Sequence, residues 1–235
     1  MIRFEERAVA FVDVLGFKSL VEQATSSDKA LSQLSELVEL LEGVVPKLDE
    51  TVDRSIPRHL IPKHNCISDC IILSAPVSDA GRSSYNGLEV VIMRVIQLTH
   101  FFLDAGYLVR GGISVGKVWH TESNIVGPAY QEAYLLEANG NEPMVVLSDS
   151  ANATPRRSSR MCLEHGGKVF VNGLHDFYIP GNTKHGAIDA AYSRYAKLAD
   201  DALSSQLPEN VKDKWNWFRA YLDSESQEGM QWTNT

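Results

Sequence analysis

Apolar residues along the chain follow two rhythms, and their alternation predicts strands and helices in turn. Ala8 to Val14 is a continuous β-branched and aromatic run stopped by Gly16, which predicts a buried strand ending in a tight turn. From Leu20 to Leu48 apolar residues recur at helical spacing, as one long or two short helices; Ser26, Ser27 and Asp28 offer an N-cap, and Pro46 predicts the stop. Arg58 to Asn65 and Cys66 to Ala75 read as extended segments joined in a hairpin with Ser68 and Asp69 near its tip. Gly87 to Ala105 predicts a helix ended by Gly106, and Leu108 to Gly116 a strand that continues through Lys117 to His120, with twin glycines Gly111 and Gly112 for close backbone approach. A further edge or hairpin follows it.

Tyr130 to Ala138 reads as a helix closed by Gly140, Met144 to Ser148 and Lys168 to Asn172 as short strands, and 149–166 as a polar, turn-rich loop. Gly186 to Glu225 holds two amphipathic helices broken at Pro208. Because hairpins interrupt the alternation, the expected class is α+β, a mixed sheet covered by helices.

Composition narrows the function. With 44% hydrophobic residues over 235 positions the chain can bury an ordinary core. Its formal net charge of -8 disfavours a nucleic-acid partner. The run Ala8 to Val14 is too short to span a bilayer, and acids stand near the N-terminus where a signal peptide would be basic, so no membrane and a cytoplasmic location are expected. Cys66, Cys70 and Cys162 lack zinc-knuckle spacing and read as reduced core thiols; the His residues form no helical ligand pair.

Three stretches carry a resemblance: FVDVLGF at Phe11 to Phe17, SDCIIL at Ser68 to Leu73, and RGGISVG with IVGPAYQEAYLLE between Arg110 and Glu137. In order and spacing they are similar to the class III nucleotidyl cyclase catalytic domain. Within it the chain most resembles the bacterial pyrimidine cyclases of the Pycsar antiphage system, short domains with RGG-type and AYxxAYxLE-like segments. The resemblance covers residues 8 to 140. It implies a ferredoxin-like core with a mixed, mostly antiparallel sheet flanked by helices, working as a head-to-tail homodimer. Residues 1–180 would form the catalytic domain and 181–235 a helical extension packed on it.

The family's two metal-binding acids match Asp13 and Asp69, with Val14 beside them as a further metal ligand. Two carboxylates facing one cleft repel unless a cation sits between them, so two divalent ions, Mn2+ or Mg2+, are the implied cofactors. Such ions activate the ribose 3′-hydroxyl and neutralise the α-phosphate while pyrophosphate leaves. The turn Val14, Leu15, Gly16, Phe17 and Lys18 would present backbone N–H groups to the triphosphate; a plain strand-to-helix turn is the other reading.

Departures from the pattern bear on the substrate. Relative to Gly127, the family's base-reading Asp, ribose-orienting Asn and transition-state Arg are replaced by Asn124, Gln131 and Leu135, and its adenine-reading Lys by Asn65. Both purine-reading positions are therefore changed. The resemblance then implies UTP, with CTP next, cyclised to 3′,5′-cyclic UMP or CMP that a separate effector senses. Arg110 either replaces the missing charge on the phosphates or makes a salt bridge. Gln131 and Tyr134 share a helix face toward the dimer cleft, Gln131 as a ribose or phosphate contact and Tyr134 as substrate contact or interface packing. Arg156, Arg157 and Arg160 lie in the polar loop and either reach the triphosphate or stay solvated. The rival from another class is a catalytically inactive nucleotide-binding or dimerisation module.

Overall fold

The computed structural model describes residues 1–157, 159–225 and 233–234. Strand β1 (Glu5–Val14) enters α1 (Phe17–Ala24) through Gly16, whose φ of 92° lies in the left-handed region that glycine adopts without a Cβ clash. Helix α2 (Asp28–Asp49) starts at Ser27, whose side chain accepts from the Ala30 amide. Contrary to expectation it runs through Pro46. The ring sits in the last turn, where it removes a single helical hydrogen bond, and the buried Val44, Val45 and Leu48 hold that turn against the core.

The segment expected to be extended from Arg58 instead makes a 3-10 turn at Arg58–Leu60, bracketed by Pro57 and Pro62 and anchored by buried Leu60. Then β2 (Lys63–Ile67) and β3 (Cys70–Pro76) form the hairpin. Cys66 is exposed on this edge strand and Cys70 half-buried, so of the three free thiols only Cys162 is a core residue. Helix α3 (Gly87–Asp104), capped by the Asn86 side chain, leads to the long β4 (Val109–His120); β5 (Ile125–Val126) folds back on its end.

Helix α4 (Pro128–Ala138) returns to β6 (Val145–Leu147), which lies parallel to β4. The stretch read as a loop holds α5 (Asp149–Ala153) and β7 (Cys162–His165), because Ala151, Cys162 and Leu163 are apolar points buried within it. Strand β8 (Lys168–Val171), α6 (Ala187–Leu203), α7 (Glu209–Glu225) and β9 (Thr233–Asn234) complete the described chain. Among the described residues nine strands make one sheet in the order β2-β3-β1-β4-β6-β8-β7-β9, with β5 on β4. Its pairings are antiparallel except β4 with β6.

The period of two along β1 divides the core. Ala8, Ala10, Val12 and Val14 face α2 and α3, whereas Val9 and Phe11 face α4 with Ile72, Ala129 and Ala133. A third cluster joins α6 and α7 to β7, β8 and the end of α3 through Phe170, Tyr195, Phe218 and Tyr221. Among the described residues no helix is long and apolar enough to cross a membrane.

Candidate active site

Parity places Asp13 on the α4 face of the sheet, the next outward step after Val9 and Phe11. Register then supplies its neighbours: Cys70 of β3 lies opposite on one side and Arg110 of β4 on the other. The hairpin tip is fixed to this row because the Val14 amide donates to the Asp69 carbonyl at 3.1 Å. Ser68, with φ 57°, makes the reversal. Ligand atoms of Asp13, Asp69 and Cys70 consequently lie within 4.8 Å of one another. The Cys70 thiol donates to Asp13 Oδ1 at 3.4 Å and stands 3.7 Å from Asp69 Oδ1.

Negative charge dominates this row. Burial, then Asp69 and Glu137, raise the Asp13 carboxyl to about 7, with Arg110 opposing. Burial, then Asp13 and Asp69, pushes the Cys70 thiol well above its ordinary value, so the sulfur stays protonated at neutral pH. Two carboxylates flanked by a neutral thiol make a hard oxygen donor set, which fits Mg2+ or Mn2+ and does not suit a thiolate metal.

Arg110 is held within the chain. Its Nε and Nη2 donate to Glu137 Oε1, its Nη1 donates to the Gly140 carbonyl at 2.8 Å, and Nη2 stays 3.9 Å from Asp13 Oδ2. The salt-bridge reading of Arg110 is therefore the one seen here, made beneath α4 and not on the surface. Helix α4 comes this close because of Gly112, where a Cβ would meet the Ala133 carbonyl at 2.4 Å.

Expectations for the turn narrow. The amides of Val14 and Leu15 donate to Asp69 and to the Leu108 carbonyl. Helical bonding begins with Leu20 donating to Gly16, which leaves the N–H groups of Gly16, Phe17, Lys18 and Ser19 without an intrahelical partner. Among the described residues no side chain caps this end, and its first turn carries no acid, so it is open to an anion.

Asn65 stands apart from this row, 8% exposed in a buried chain of polar groups. Its Oδ1 pairs with His120 Nε2 at 2.7 Å, and its Nδ2 donates to the Glu122 carbonyl at 2.8 Å. His120 Nδ1 meets Ser74 Oγ at 2.6 Å, and Ser74 Oγ accepts from Arg7 Nε at 2.8 Å. Both ends of the Asn65 amide are thus engaged in holding the 121–124 turn to β2. Asn124 is exposed in that same turn.

Gln131 and Tyr134 are exposed on α4, the Tyr134 ring meeting Phe11 edge-on at 5.4 Å. Leu135, in the place of the family's Arg, is 54% exposed beside a groove of about 410 Å³ between α4 and β6. Arg156 is engaged with Asn152. Sequence reading missed Cys70 and Glu137; the first became legible only once β1 and β3 were paired in register.

No protein-family model matches the sequence, and no curated protein matches it. Solved structures do. The catalytic core of a rhodopsin-guanylyl cyclase with converted specificity, in complex with ATPαS, is similar with a TM-score of 0.51 and 14% identity over 73% of this chain and 98% of that one. The monomeric guanylyl cyclase domain of the RhoGC fusion protein from the aquatic fungus Blastocladiella emersonii has a TM-score of 0.48 at 15% identity, over 73% and 98% of the two chains. The adenylate/guanylate cyclase/hydrolase from Silicibacter pomeroyi has 0.47 at 14%, over 73% and 96%. With an open, mostly antiparallel sheet flanked by helices and this likeness to a cyclase core, the chain has the class III nucleotidyl cyclase fold.

Proposed function

We propose that the protein is a nucleotidyl cyclase that converts a nucleoside triphosphate to its 3′,5′-cyclic monophosphate and pyrophosphate. The observation that carries this reading is the juxtaposition of Asp13 and Asp69 at the end of β1, one turn before an uncapped helix start. Two divalent ions, Mn2+ or Mg2+, held by Asp13, Asp69 and the Val14 carbonyl, would supply activation of the 3′-hydroxyl and charge neutralisation at the α-phosphate. The N–H groups of Gly16 to Ser19 bind the triphosphate tail at the positive end of α1. Arg110 and Glu137 hold Asp13 in place, Glu137 keeping the guanidinium directed along the row.

The substrate we propose is UTP, with CTP next. Support comes from the altered purine-reading positions and the sequence resemblance: the side chain at the adenine-reading position is sealed in the fold, and Asn124 alone of that pair faces solvent. Exposed Ile67, Tyr134 and Leu135 on the hairpin and α4 support a homodimer in which Gln131 of one subunit reaches the substrate of the other. We place the catalytic unit at residues 1–180 with 181–235 as its helical extension, and the cyclic nucleotide as a signal read by a separate effector in antiphage defence.

A second reading, an inactive nucleotide-binding or dimerisation module, is favoured by Leu135, which leaves no cation at the family's transition-state position. Incubation with ATP, GTP, CTP and UTP plus Mn2+, with mass-resolved separation of products, discriminates the two. Cyclic UMP or CMP that disappears in Asp69→Asn is the expected result. Co-purifying nucleotide with no product from any of the four triphosphates sinks the cyclase reading.

A further inference from the structure

The backbone around Asp69 is anchored, because the Val14 amide holds its carbonyl and Ser68 makes the reversal just before it. These contacts fix where Asp69 stands and leave the aim of its carboxylate open. Asp13 has Arg110 Nη2 at 3.9 Å from its Oδ2, whereas among the described residues no cation pairs with Asp69 and the one side chain that donates to it is Cys70. One oxygen of each carboxylate lies within 4.8 Å of the other's. Like charges at that separation turn apart toward water unless a donor stands between them.

Cys70 has the position and the proton for that task. It opposes Asp13 in the β1-β3 register, directly follows Asp69, and offers one S–H to two acceptors, Asp13 Oδ1 at 3.4 Å and Asp69 Oδ1 at 3.7 Å. Its half-buried side chain packs against the cluster of Phe11 and Ile72, so the core holds the sulfur in place. An ionised carboxylate accepts at about four lone-pair sites, and one shared donor leaves most of them free. We propose that Cys70 is a positioning residue for the metal: its shared proton keeps the Asp13 and Asp69 carboxylates converged and leaves their remaining lone pairs to the ion. The inference rests on the reading of the acidic row as a divalent metal site, and adds to the grip of Arg110 on Asp13 a contact that reaches Asp69 as well.

Titration of Mn2+ into the full chain at pH 8, with the free ion followed by its paramagnetic resonance signal, tests this on the wild type, Cys70→Val and Cys70→Thr. Valine and threonine share a shape that suits a strand and differ by one hydroxyl, so the pair isolates the donor from the packing. The wild type should bind Mn2+ saturably, Cys70→Val at least about fivefold more weakly, and Cys70→Thr should recover most of that loss. If the branched pair does not fold, Cys70→Ala and Cys70→Ser make the same comparison. Binding by the valine variant as tight as the wild type overturns the proposal and leaves the metal reading standing. Equal weakening in valine and threonine variants assigns Cys70 to packing alone and overturns it too. A wild type that takes up no Mn2+ removes the metal reading itself, and the proposal with it.

Discussion

The hairpin β2-β3 carries a polar cluster at each end, and the two are organised in opposite ways. At its root, Arg7, Ser74, His120 and Asn65 form a line in which the donors and acceptors meet: Ser74 accepts from Arg7, His120 shares a proton with Ser74 and with Asn65, and Asn65 donates to a backbone carbonyl. Burial, helped by Arg7, Lys63 and His64, lowers His120 to about 4, so the ring is neutral and its two nitrogens take one donor and one acceptor role. At the tip, Asp13 and Glu137 share one guanidinium, and the Asp69 carboxylate adds a further negative charge beside Asp13. A buried network that closes on itself specifies structure, whereas one that leaves net charge in a cleft is built for a charged ligand.

The largest expected effect separates the two ends most sharply. Asp69→Asn should lower cyclase turnover by roughly a thousandfold while leaving the thermal midpoint unchanged or higher, since it removes repulsion and keeps an oxygen to meet the long contact from Cys70. A parallel collapse of stability would place Asp69 with the root. Next, Arg110→Met leaves Glu137 buried beside Asp13 without its cation, and denaturant titration should show a loss of about 3 kcal/mol. Stability within experimental error of the wild type would mean that the Arg110–Glu137 pair adds nothing to the fold.

At the root, Asn65→Ala strands His120 and the Glu122 carbonyl and should cost about 2 kcal/mol by the same titration, with the preference among the four triphosphates unchanged. A switch in base preference would return Asn65 to the substrate. The smallest effect, taken one pH unit at a time, is a slope with pH. Asp13 goes from an ordinary value near 3.8 in the unfolded chain to about 7 in the folded one, so between these the folded state holds the extra proton. Stability of the metal-free protein should then fall by up to about 1 kcal/mol per pH unit as pH rises from 4 to 7, and level off above. Mn2+ should consequently raise the melting midpoint more at pH 8 than at pH 5; equal shifts at both would count against Asp13 as its ligand.

Much of this was legible in the sequence because it is local. The run Ala8 to Val14 declares its strand, Gly16 its turn, and Ser68-Asp69 the tip of the hairpin, since turn chemistry and period are written within a few residues. What stayed hidden depends on register. Cys70 reaches Asp13 only through the β1-β3 pairing, Arg110 meets Glu137 only once α4 has settled on β4, and Asn65 finds its partner in His120, which lies 55 positions away. Pro46 misled for a related reason: a local breaker was overruled by the core beneath the last turn of α2.

The bare position at Gly112 carries a consequence for how this chain tolerates change. With the Ala133 carbonyl 2.4 Å and Leu136 Cβ 2.6 Å from where a methyl would stand, helix and sheet have no clearance for even the smallest side chain. Any replacement must lift α4, and with it Glu137, away from a guanidinium rooted in the strand below. Position 112 thus acts as a shim of fixed thickness, and drift there would detune the acidic row without altering a single charged atom.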